Sequence, residues 1–137
     1  MISSGFFLLA EVVMPLLTIQ IVQGRSAQQK KALLNSVSQA VVDSIGAPLA
    51  SIRAMLIEVP ADNVIIAGEI GKDAALVHAS LISGRTEEKK AAMFAAVSRA
   101  VHESIDISEN DVRVVITDVP NTDMGMAGGV SAKSMGR

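Results

Sequence analysis

The sequence contains no cysteine, tryptophan or tyrosine, and Phe6, Phe7 and Phe94 are its whole aromatic complement. Without cysteine there is no disulfide framework, no thiolate nucleophile and no sulfur-based zinc site, and two histidines far apart in sequence make a poor metal set. The shortage of rings removes stacking platforms for bases or sugars. An excess of one charge is missing too: 12 basic against 14 acidic residues leave a net charge of -2, which argues against a nucleic-acid partner. What the chain does have is apolar mass. Half of its 137 residues are hydrophobic, enough to build one core from aliphatic side chains and methionine and too much for a disordered chain. No cofactor and no metal are expected.

The longest apolar run, Phe6 to Val13 followed by Met14, Pro15, Leu16 and Leu17, is neither a membrane helix nor a signal peptide. Spanning a bilayer takes about 20 mostly apolar residues, and Glu11 and Pro15 interrupt this run. A signal peptide opens with basic residues, whereas residues 1–5 hold none. Residues 1–14 are therefore expected to be a leader or a misassigned start, and the expected location is the cytoplasm.

The chain repeats itself at a constant shift of 60 residues without a gap. Gly24-Arg25-Ser26 falls on Gly84-Arg85-Thr86, Lys30 on Lys90, Val37-Ser38 on Val97-Ser98, Arg53 on Arg113, Val59-Pro60 on Val119-Pro120, and Ala67-Gly68 on Ala127-Gly128. Each copy is too short to bury much surface alone, so the two are expected to pack together about a pseudo-two-fold axis. The boundaries read as 15–71 for the first unit and 72–137 for the second with its tail.

Both copies follow one plan. Leu16 to Val22 and Leu76 to Ile82 read as buried strands, each ended by a glycine. Ser26 and Thr86 are candidate helix caps, and Leu33, Val37, Ala40, Val41 and Ile45 mark one helix face. Met93, Val97, Ala100, Val101 and Ile105 mark the other. A second strand follows each helix, Ile52 to Val59 and Val112 to Val119, stopped by proline. Two β-α-β units give an α+β fold with a four-stranded sheet and two helices on one face. The strands are apolar on both sides, so other copies of the chain are expected to cover the second face, which predicts a homo-oligomer.

Few polar residues recur in both copies. Ser38, Ser44, Ser98 and Ser104 lie within helices with no histidine and carboxylate spaced to activate them, and read as small packing residues. Lys30 and Lys90 read as solvated charges. His78 and His102 each occur in one copy, which excludes a role shared by both. The glycine-rich stretch from Gly125 to Gly129 lacks the spacing of a phosphate loop. Arginines are the better candidates: Arg25 and Arg85 follow a strand, Arg53 and Arg113 open one, and guanidinium forks there could hold carboxylates.

Pro15 through Ser26 (PLLTIQIVQGRS), then Gln29-Lys30-Lys31, Ala47-Pro48-Leu49, Ser51-Ile52-Arg53 and Ala67-Gly68-Glu69, resembles a subunit of the 4-oxalocrotonate tautomerase family. With the degenerate second copy, the whole resembles the fused members of that family. The resemblance implies an amino-terminal proline, Pro15, as general base in an isomerase that moves a proton in an enol or dienol 2-oxo acid. It also implies Arg25 and Arg53 in catalysis, with Arg85, Arg113 and Val64 at the substrate. Family sites take arginines from neighbouring subunits, so Arg85 as well as Arg25 could serve Pro15, with Arg53 or Arg113 from another protomer, and a trimer of fused chains is implied. Three departures from the family pattern stand out. Ala75 takes the proline's place in the second copy; the pocket aromatic falls on Val64 and Met124; and the arginine and acid of dehalogenating relatives fall on Val22 or Ile82 and on Ile66 or Met126, which disfavours hydration chemistry. The competing expectation is a noncatalytic oligomeric module that binds a small ligand, with Pro15 merely opening a strand.

Overall fold

The computed structural model describes residues 15–137, so the expectations for residues 1–14 lie outside the described residues. Strand β1 (Leu16–Val22) leads through Gly24-Arg25 into helix α1 (Ala27–Ile45), and a short 3-10 turn (Leu49–Ser51) delivers the chain to β2 (Arg53–Val59). After a two-stranded hairpin, β3 (Ile65–Ile66) and β4 (Glu69–Ile70), the plan repeats with β5 (Ala75–Ile82), α2 (Glu87–Ile105) and β6 (Val112–Val119).

The caps expected from the sequence are in place. Ser26 accepts the backbone N–H of Gln29 while the Gln29 side chain accepts the N–H of Ser26, a reciprocal capping box. Thr86 caps α2 through the N–H of Lys89, and Glu87 and Glu88 place negative charge in its first turn. Gly46 ends α1 in the left-handed region at φ 73, and Asp106 does the same for α2 at φ 55.

The sheet order is β2-β1-β5-β6. Within each unit the strands are parallel, with Leu16 beside Arg53 and Leu76 beside Arg113. The units meet antiparallel at the centre, with Leu16 opposite Ser80 and Ile21 opposite Ala75. That pairing is the pseudo-two-fold axis: the end of each central strand lies beside the start of the other.

One core joins the copies. Leu17, Ile19 and Ile21 of β1 and Val77, Ala79 and Leu81 of β5 meet the apolar faces of both helices, with all ten helix residues expected there buried. The other sheet face carries exposed Leu16, Met55, Ile57, Leu76 and Val115. The two-fold apolar character read from the sequence is thus real, and the helices answer only half of it.

Two local readings need amendment. Lys30 and Lys90 are half-buried and pair with Glu58 at 3.0 Å and Asp118 at 2.7 Å, tying each helix to its second strand at equivalent positions. The β3–β4 hairpin was not anticipated; its two-residue turn places Ala67 and Gly68 at φ 51 and 85, the signature of a primed turn.

Candidate active site

Pro15 is buried at the head of β1, and its carbonyl accepts the backbone N–H of Arg53 at 3.1 Å. Continuing the antiparallel register by one position sets Pro15 opposite Leu81, so the turn holding Gly84 and Arg85 follows β5 at the same end of the sheet. Arg25 lies at the other end. Seven strand residues at about 3.3 Å each separate it from Pro15 by about 23 Å along the chain. Pro15 and Arg25 of one chain are therefore not brought together.

Instead, Arg25 is spent on internal partners. Its Nη1 and Nη2 donate to the two carboxylate oxygens of Asp73 at 2.9 and 2.6 Å. The same nitrogens lie 3.5 Å from the Val22 carbonyl and 3.4 Å from that of Ile105, the last residue of α2, where a cation favours the helix dipole. The hydrogen bond to Asp73 pushes the Arg25 pKa above its ordinary value despite burial.

Arg85, the equivalent residue, is in the opposite condition. Its Nε and Nη2 are buried and have no hydrogen-bond partner among the described residues. Burial pushes its pKa below the ordinary value, while the charge of Asp118 opposes that shift. A guanidinium keeps its proton even so. Buried donors without acceptors are costly, and an incoming anion would relieve that cost.

Arg53 shares strand parity with Met55 and Ile57, whose side chains are on the helix-free face, and its Nη1 donates to the carbonyls of Ala50 and Ile52. Arg113 does likewise, donating to the carbonyls of Asn110 and Val112. Both thus keep further guanidinium donors at the start of a second strand.

Val64 and Arg113 line a cavity of about 500 Å³ around Ala75, with Val22, Ile65 and Asp73. Met124 packs instead with Ile82, Met126 and Ala132 in a separate cluster at the end of β5, the Pro15 end of the sheet. Arg137, which the sequence did not single out, borders Ile82 and Ser83 at that end, and its carbonyl accepts from Asn121 at 2.8 Å. Only the fold could have revealed it, because the first copy has no matching terminus.

Several of the remaining polar candidates have structural partners. His78 Nε2 is 2.7 Å from Thr117 Oγ1, His102 Nδ1 is 2.7 Å from the Ile107 carbonyl, and Ser104 donates to the Ala100 carbonyl within its helix. Among the described residues no cluster of histidine and acidic side chains could hold a metal ion, and no helix is long and apolar enough to cross a membrane.

A family model described as tautomerase enzyme matches the chain twice, over residues 15–74 and 76–134. The chain belongs to the tautomerase family. Its first unit is 45% identical over 60 residues to a 2-hydroxymuconate tautomerase of Pseudomonas putida, covering 44% of this chain and 95% of that protein. A 2-hydroxymuconate tautomerase of Comamonas testosteroni is 42% identical over the same length, with the same coverage. Among solved structures, a fused 4-OT described as a symmetric trimer is 53% identical with a TM-score of 0.87, covering 89% of this chain and 99% of that one. A native fused 4-OT is 36% identical with a TM-score of 0.84 over the same shares. The protein is accordingly a tautomerase, an isomerase built as two subunit-like copies in one chain.

Proposed function

We propose that this tautomerase acts on a dienol dicarboxylate of the 2-hydroxymuconate class, with the Pro15 nitrogen as general base once that residue is the amino terminus. The observation that carries the proposal is Arg85, in a turn at the Pro15 end of the sheet, whose buried Nε and Nη2 have no hydrogen-bond partner among the described residues. A free prolyl amine has an ordinary pKa of about 8, and a low-polarity site beside guanidinium charge disfavours its protonated form. A base held near the operating pH is efficient. The amine takes the proton of the enol hydroxyl and returns it to a carbon of the same conjugated chain, so the enol becomes a ketone with no net gain or loss of atoms or electrons.

Arg85 supplies the carboxylate contact from within the chain, and it stabilises the oxygen on which negative charge develops. Arg53 stands on the exposed apolar sheet face and serves the site of a neighbouring protomer in a trimer; Arg113 lines the second pocket, at Ala75, and Arg25 holds Asp73 at its border. The helix-free face with Met55, Ile57 and Val115 supports assembly of several chains, and the similar fused structure is itself a trimer. The test is turnover of 2-hydroxymuconate by protein whose first residue is verified as Pro15, against the same protein carrying Arg85→Ala. Loss of activity in the variant supports the site, and undiminished kcat/KM overturns it.

A further inference from the structure

The two pockets of the pseudo-dimer differ in more than their proline. At a shift of 60 residues, Asp73 corresponds in sequence to Val13, so a carboxylate stands two positions before Ala75 where an apolar residue stands two positions before Pro15. The consequence appears at the equivalent arginines. Arg25 is gripped by both oxygens of Asp73, while Arg85 keeps Nε and Nη2 buried without a partner among the described residues. Asp73 itself is half-exposed and borders the cavity around Ala75 that also contains Arg113. Its carboxylate occupies the fork that an incoming carboxylate would use, in the bidentate geometry such a ligand would adopt.

We propose that Asp73 is an internal counter-carboxylate that closes the Ala75 pocket to dicarboxylates, so that each chain offers a single dicarboxylate site, at Pro15. The proposal rests on the carboxylate-binding role given to Arg85 above. Loss of the base at Ala75 would by itself leave a pocket able to sequester substrate without turning it over. Filling Arg25 from within removes that competition. It also fixes the linker between the two units against the end of α2, because Arg25 bonds Asp73 and the Ile105 carbonyl together.

The test is calorimetric titration of the full chain with adipate, a saturated six-carbon dicarboxylate that cannot tautomerise. The wild type is expected to bind one adipate per chain and Asp73→Asn two. The added site should vanish in the Asp73→Asn/Arg25→Ala double variant, and Asp73→Glu should keep the wild-type count. Asp73→Ser provides a second opening variant should the asparagine form fold poorly. Equal counts in wild type and both opening variants, or an added site that survives loss of Arg25, would overturn the proposal. Arg85→Ala separates the two ideas: it should remove the wild-type site, whereas the increment gained on losing Asp73 should persist in its presence. Retention of the wild-type site in Arg85→Ala would count against the site at Pro15 and leave the increment as the measure of Asp73.

Discussion

The Pro15 carbonyl accepts the backbone N–H of Arg53 at 3.1 Å, so the residue whose nitrogen is to act as base is held by the ladder between β1 and β2. The ring is thereby fixed at its carbonyl side, and its nitrogen lies beyond the first ladder bond of the strand. Position comes from the backbone, and in the proposed site the charge comes from side chains at the end of β5 and on other chains.

That division predicts unequal arginines. Arg85→Ala should lower kcat/KM on 2-hydroxymuconate by about 10- to 150-fold, the equivalent of about 1.5–3 kcal/mol for a hydrogen bond to a charged group. Arg25→Ala removes a group already committed to Asp73 and should change kcat/KM only a few-fold. Steady-state kinetics of the two variants side by side check the ranking, and an equal loss in both would contradict it.

The ranking was out of reach of the sequence, and the reason is topological. The 60-residue register located both helices, their buried faces and four strands, because periodicity and caps are local signals. Strand ends shifted by one residue, to Ala75 and Arg53 from the expected Leu76 and Ile52. Which arginine approaches which pocket depends on the antiparallel meeting of β1 and β5, a long-range pairing with no local signature. Val64 and Arg113 line the cavity at Ala75, while Arg85 sits in the turn at the Pro15 end of the sheet. The β3–β4 hairpin was legible in principle, since Ala67-Gly68 separates short apolar pairs; a two-residue strand is too brief for an alternation pattern.

The helix-free face offers a second expectation. Met55 is 74% exposed and Ile57 45%, both on the strand that begins with Arg53. Met55→Glu with Ile57→Glu should break assembly into smaller species and abolish most activity together, because the proposed site takes an arginine from another chain. Light scattering coupled to gel filtration reads the mass. A wild type that remains a stable monomer at micromolar concentration would defeat the trimer outright.

Residues of both copies share one core. Leu33 and Met93 occupy equivalent helix positions and both are fully buried. Leu33→Ala and Met93→Ala should each destabilise by about 2–5 kcal/mol, read as a shifted midpoint in denaturant at fixed protein concentration. A large loss in one and none in the other would indicate that the units fold independently instead of around one core.

The last expectation concerns the nitrogen itself. A proline nitrogen within a peptide bond has no basic lone pair, so protein in which Met14 remains joined to Pro15 should lack proline-dependent tautomerase activity, however well the arginines are set. Freeing Pro15 creates a secondary amine with an ordinary pKa of about 8, at a buried position near guanidinium charge that favours its neutral form. The chain is to be expressed from Met1 with residues 1–14 verified intact by mass, and separately from Met14 with the methionine removed and Pro15 verified as the first residue. The second form should turn over 2-hydroxymuconate and the first should not. Equal activity in the two forms, or wild-type activity in the Pro15→Ala version of the short form, would show that the base lies elsewhere.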